Sequence, residues 1–70
     1  MTTNKPAHEI LKEARLAKGL TQIQVAKKAG LHPNTYAKIE RGISKPLPAS
    51  IKSLIKALDI DPSKVLSLLG

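Results

Sequence analysis

Along the middle of the chain apolar residues recur at spacings of three and four between breaks that carry glycine or proline, and no strand-length run alternates. The first such segment, roughly Ala7 to Lys18, puts Ile10, Leu11 and Ala14, with Leu20 just beyond, on a buried side and leaves Lys12, Glu13 and Lys18 in solvent. Pro6 suits a first turn, where a missing amide proton costs nothing, and Gly19 suits a left-handed stop. Thr21 followed three residues later by Gln24 is a capping box, which opens a second helix. On it Gln22, Val25, Ala26 and Ala29 share a face, and Ala26 is small enough for another helix to cross at close range. Gly30 permits a sharp reversal. His32 is then the N-cap and Pro33 the first position of a third helix reaching about Arg41. Tyr36, Ile39 and Glu40 fall on one side of it, leaving Pro33, Asn34, Ala37, Lys38 and Arg41 on the other. Gly42 ends it.

Ile43 to Pro48 reads as a loop. A fourth helix, from about Pro48 to Leu58, has Ile51, Leu54, Ile55 and Leu58 as its apolar stripe, with Lys52 and Lys56 outside. Asp61 and Pro62 open a short fifth helix to about Leu69. Residues 1–5 are polar and aperiodic, so a flexible arm is expected over residues 1–6 and one domain over residues 7–70. Tyr36 is placed in the core with its hydroxyl at the surface, and His8 is placed in solvent. No internal repeat appears. Seventy residues with 41% hydrophobic content and Tyr36 as the sole aromatic make a small aliphatic core, which regular helices with local contacts suit better than a sheet.

Composition narrows the chemistry. There is no cysteine, which removes disulfides and thiolate metal sites and makes the cytoplasm the expected compartment. The longest apolar runs fall far short of the roughly 20 residues that span a bilayer, and no charged-then-apolar leader opens the chain. Twelve Lys and Arg against five Asp and Glu give a formal charge of +7, which favours a polyanionic partner. Because the basic residues are spread over every helix and not gathered on one amphipathic face, a nucleic acid is expected and a membrane surface is not, and the helix-turn-helix layout of residues 21–42 makes that nucleic acid double-stranded DNA. The acids are scattered, the two histidines lie far apart, and no nucleophile elbow, phosphate loop or metal-ligand spacing occurs. Glu9 beside His8 is a dipeptide and no zinc motif. No enzymatic activity, cofactor or metal is therefore expected.

Residues 21–42 thus spell two short helices joined by a tight turn on a basic chain, the layout of a helix-turn-helix. The string LKEARLAKGLTQIQVAKKAGLHPNTYAKIERGISKP resembles the phage-repressor helix-turn-helix family of the Cro/cI or XRE type. The ordered series from TQ through A, G and IERG to P, followed by a leucine-periodic helix and a short last one, extends that resemblance over about Leu11 to Leu66. It implies an all-α, compact five-helix lambda-repressor-like DNA-binding domain whose helices 2 and 3 form the helix-turn-helix. By that resemblance Gln22 contacts a backbone phosphate at a helix N-terminus, where backbone amides favour an anion, and braces the reading helix. Pro33, Asn34 and Lys38 address base edges in the major groove, with His32 and Thr35 nearer the phosphates. Asn34 suits adenine and Lys38 suits guanine, each contact giving about 1–3 kcal/mol of discrimination. Pro33 departs from the polar residue usual in the family, which leaves that position a thymine methyl or nothing. Lys27, Arg41 and Lys45 are assigned to flanking phosphates. Arg15 and Glu40 match a structural ion pair of related repressors, linking the first helix to the end of the third. Each assignment competes with a plainer one: a neighbour of the capping box for Gln22, a cap and turn residue for His32, and solvated side chains for Asn34, Lys38, Arg41 and Lys45.

The expected function is a sequence-specific transcriptional regulator, a repressor, binding a palindromic operator as a homodimer with half-sites about 34 Å apart. Dimer contacts are expected from the Ile43 to Leu47 loop or from Leu66, Leu68 and Leu69. An antitoxin that represses its own operon and caps a toxin, and a restriction-modification controller, share the same fold and groove chemistry. From a different class, a protein-interaction module that keeps the helix-turn-helix core also remains open.

Overall fold

A computed structural model describes residues 6–61. Among them lie four α-helices and no strand: α1 (Ala7–Ala17), α2 (Gln22–Ala29), α3 (Pro33–Glu40) and α4 (Pro48–Leu58). The expected all-helical fold is therefore seen over four helices, where five were expected. The fifth, Pro62 to about Leu69, lies outside the described residues, as do residues 1–5 of the expected arm and Leu66, Leu68 and Leu69.

The helices begin in two ways. Ahead of α1 and α4, Pro6 and Leu47 make no side-chain cap, and their carbonyls take the first amides: Ile10 donates to Pro6 at 3.2 Å and Ile51 to Leu47 at 2.9 Å. Side chains cap α2 and α3. Thr21 Oγ1 accepts from the Gln24 amide at 3.1 Å while Gln24 Oε1 accepts from the Thr21 amide at 2.8 Å, which completes the reciprocal capping box. His32 Nδ1 accepts from the Asn34 amide at 3.2 Å, and Pro33 fills a first position where no amide needs a partner.

All four helices end on one device. A residue with positive φ closes each (Gly19, Gly30, Gly42 and Asp59), and the next residue donates back to the carbonyl five residues earlier: Leu20 to Arg15, Leu31 to Ala26, Ile43 to Lys38 and Ile60 to Ile55, at 2.8–3.1 Å. This is the Schellman ending, in which an apolar residue beyond the cap commonly packs back on its own helix. Leu20 and Leu31 are partly buried and Ile60 is buried, but Ile43 is 68% exposed. Gly42 meets a second constraint, because a Cβ there would lie 2.9 Å from the Nδ1 of His8. His8 is thus half-buried against the end of α3, not free in solvent as expected.

Inside these ends α2 packs on α3 and α4, and α1 packs on the same two helices. The core is Leu11 from α1, Val25, Ala26 and Ala29 from α2, Tyr36 and Ile39 from α3, Ile51, Leu54 and Leu58 from α4, and Ile60 beyond it. Ala26 is wholly buried where α2 meets its neighbours, as its size predicts. Tyr36 corrects the expected placement: the ring sits so deep that the hydroxyl is buried as well, without an aligned hydrogen-bond partner.

Beside that hydroxyl, Arg15 Nε and Nη2 donate to the Glu40 carboxylate at 2.9 and 2.8 Å, while Nη1 donates to the Leu20 carbonyl at 2.8 Å. The Glu40 side chain is 3% exposed. Burial pushes its carboxyl up, but the paired hydrogen bonds and charge of Arg15, helped by the nearby Tyr36 hydroxyl and Gln22 amide, outweigh that penalty and leave it below the ordinary glutamate value. Glu40 in turn raises the Arg15 guanidinium, and burial raises the Tyr36 phenol.

Two outcomes are expected. Gly30→Ala places a Cβ in open space and should cost about 1–2 kcal/mol for the left-handed backbone alone, whereas Gly42→Ala must also displace His8 and should cost more; equal losses on urea titration would show that the His8 contact is idle. A depressed carboxyl contributes stability that is complete above its ordinary value of 4.5 and is lost as pH falls through the lower folded value. Below pH 4.5 the chain should therefore lose stability more steeply than an Arg15→Met/Glu40→Leu variant, by up to ~1.4 kcal/mol per pH unit. Parallel acid-denaturation curves would contradict this.

Candidate nucleic-acid interface

Eight residues of α3 divide into two faces at about 100° per residue. Tyr36, Ile39 and Glu40 point into the protein, and their side chains are buried. Opposite them Asn34, Lys38 and the cap residue Arg41 fall within an arc of about 60°, and all three are exposed. These are a bidentate amide and two cations at successive turns of one helix, a stripe of donors of the kinds that suit base edges and phosphates. Thr35 lies at the edge of this stripe. Pro33 lies off it, exposed on the flank that carries half-buried Ala37, so its ring is a side wall of the helix tip and leaves the centre of the face to Asn34.

The remaining assigned residues lie off the stripe. His32 is exposed at the tip of α3, where its ring caps the helix through Nδ1. Lys45 is exposed in the connection that follows α3. Gln22, the first residue of α2, is half-buried, with its amide near enough to Glu40 to help hold that carboxyl down. Lys27 projects from the outer face of α2, opposite Val25, Ala26 and Ala29, beside exposed Lys28 and Ile23. Over residues 33–47 the exposed charges are Lys38, Arg41 and Lys45, and the one acid, Glu40, is buried and bonded to Arg15. The face is therefore of a single sign, and the helix dipole adds positive potential at its His32 end.

The turn between α2 and α3 is short because Gly30 adopts φ 71° and Leu31 closes on Ala26, so that α3 restarts at Pro33 with its polar stripe turned outward. Sequence reading missed the Leu20 carbonyl as a partner of Arg15. Its signal is present but faint: the two residues bracket Gly19 at the spacing that a Schellman ending joins, which brings that carbonyl beside the guanidinium. Among the described residues no group of three or more His, Cys, Asp or Glu is placed to hold a metal ion, and no helix is long and apolar enough to cross a membrane.

Known proteins agree with this geometry. The solved structure of the restriction-modification controller protein C.AhdI from Aeromonas hydrophila superposes with a TM-score of 0.77 at 36% identity, over 83% of this chain and 88% of that one. No curated protein sequence matches the chain. A profile of the helix-turn-helix family matches residues 11–65, from the first core leucine of α1 past the end of α4. With α2, the Gly30 turn and the outward stripe of α3 all inside that span, the chain belongs to the helix-turn-helix family.

Proposed function

We propose that this protein is a sequence-specific DNA-binding transcriptional regulator, a repressor that reads the major groove of a palindromic operator as a homodimer. One observation carries the reading: Asn34, Lys38 and Arg41 form a single exposed stripe on a helix whose opposite face is locked into the core. Asn34 pairs with adenine and Lys38 with guanine O6 and N7, while His32, Thr35, Arg41, Lys45, Lys27 and the first turn of α2 at Gln22 take phosphates and fix the register. A module of this size reads a few base pairs, so two copies on symmetric half-sites supply the affinity that one lacks. Ile43 and Leu47, 68% and 71% exposed, place apolar surface next to the reading helix where a second copy would cover it.

The likeness to a restriction-modification controller favours a second reading with the same groove chemistry, control of a restriction-modification operon. Both differ from a protein-interaction module in what they demand of DNA. Selection from a random duplex library at roughly 0.15 M salt should enrich one symmetric motif, because specific contacts survive where counterion release has weakened the rest. Recovery of no motif would sink both regulatory readings and leave the interaction module.

The two kinds of contact separate by mutation. Lys38→Ala should relax base preference at one position of each half-site, at about 1–3 kcal/mol, while Lys27→Ala should weaken all sequences alike and flatten the salt dependence by about one counterion. Uniform loss in both variants would remove Lys38 from the base-reading set.

A further inference from the structure

Three contacts converge on the Arg15 guanidinium. Two go to Glu40, the last residue of α3, and the third goes to the carbonyl of Leu20, which immediately precedes the Thr21 cap of α2. One planar group on α1 therefore ties the start of α2 to the end of α3. A guanidinium presents its donors in a fixed fork, so the three bonds set direction as well as distance.

Stability alone does not account for this arrangement. A buried ion pair is often replaced by apolar residues of similar volume without loss, since desolvation consumes most of its attraction. Apolar packing constrains helix rotation through shape alone, whereas a fork bonded to a carboxylate and a carbonyl adds a directional constraint. The geometry points to a positioning role: we infer that Arg15 and Glu40 form a clamp that holds the α2 start and the α3 stripe in one register. Base discrimination then depends on a pair that lies off the outward face. The inference rests on the DNA-binding reading above, because register matters only if Gln22 on α2 and Asn34 and Lys38 on α3 engage one duplex together.

The Arg15→Met/Glu40→Leu variant tests it. This change removes one positive and one negative charge, so the net charge of +7 and the sequence-independent pull on phosphates are retained. Wild type and variant are compared by thermal unfolding, then by titration of the library-enriched duplex and of a scrambled duplex at one salt concentration. The variant should be folded, should bind the scrambled duplex within about twofold of wild type, and should lose roughly tenfold in the ratio of specific to scrambled affinity. A folded variant with an unchanged ratio overturns the clamp. Should the double variant not fold, Arg15→Lys keeps the charge but loses the fork, and the same fall in ratio is expected of it; an unchanged ratio in folded Arg15→Lys is equally fatal. A wild type without sequence preference removes the DNA-binding reading and the clamp with it, whereas a preference kept in full by a folded variant removes the clamp alone.

Discussion

The contact on which the rest of this domain depends is the fork of Arg15, where a residue of α1 meets the end of α3 and the threshold of α2. Its partner Glu40 stands one position from Ile39 and four from Tyr36, both deep in the core, so the charged pair and the apolar core share one boundary. That boundary decides which way α3 is rotated. With Tyr36, Ile39 and Glu40 held inward, the helix must turn Asn34, Lys38 and Arg41 outward, and the polar stripe is a by-product of where the core begins.

Helices this short do not stand by themselves. At eight residues each, α2 and α3 fall below the length at which an isolated helix is even marginally populated in water. They persist because their ends are satisfied and their inner faces are buried. The reciprocal cap at Thr21 and Gln24 answers donors at the start of α2, His32 does so for α3, and the left-handed residues after each helix answer carbonyls at the other end. In a core with Tyr36 as its only aromatic, this local closure supplies definition that bulky side chains provide elsewhere.

What the sequence disclosed follows from the range of each interaction. The boundaries of α2 and α4, the reversal at Gly30 and the two faces of α3 are encoded within a few residues, and spacing alone revealed them. The ring of His8 against Gly42 and the depth of the Tyr36 hydroxyl were not visible, because each depends on residues far apart in the chain. Asp59 shows another limit: it takes the left-handed position at the end of α4 that glycine holds after the other helices, and a side chain there is a weaker signal than a missing one. At the candidate site, periodicity identified Asn34, Lys38 and Arg41 as one face. It did not separate Pro33, which stands on the flank, or reveal that Gln22 leans on Glu40.

The exposed Ile43 has a dynamic consequence. At the ends of α1, α2 and α4, unwinding the last turn would drag Leu20, Leu31 or Ile60 out of shelter, so each opening carries an apolar penalty. At the end of α3 the corresponding side chain is already in water, and parting the Ile43 amide from the Lys38 carbonyl exposes almost nothing new. The stretch from Arg41 to Leu47 therefore opens at less apolar cost than the ends of the other three helices, while the Asn34 end of the same helix is capped. Helix α3 thus combines a stiff N-terminal tip with a yielding heel, and movement at the heel leaves the capped Asn34 end in place.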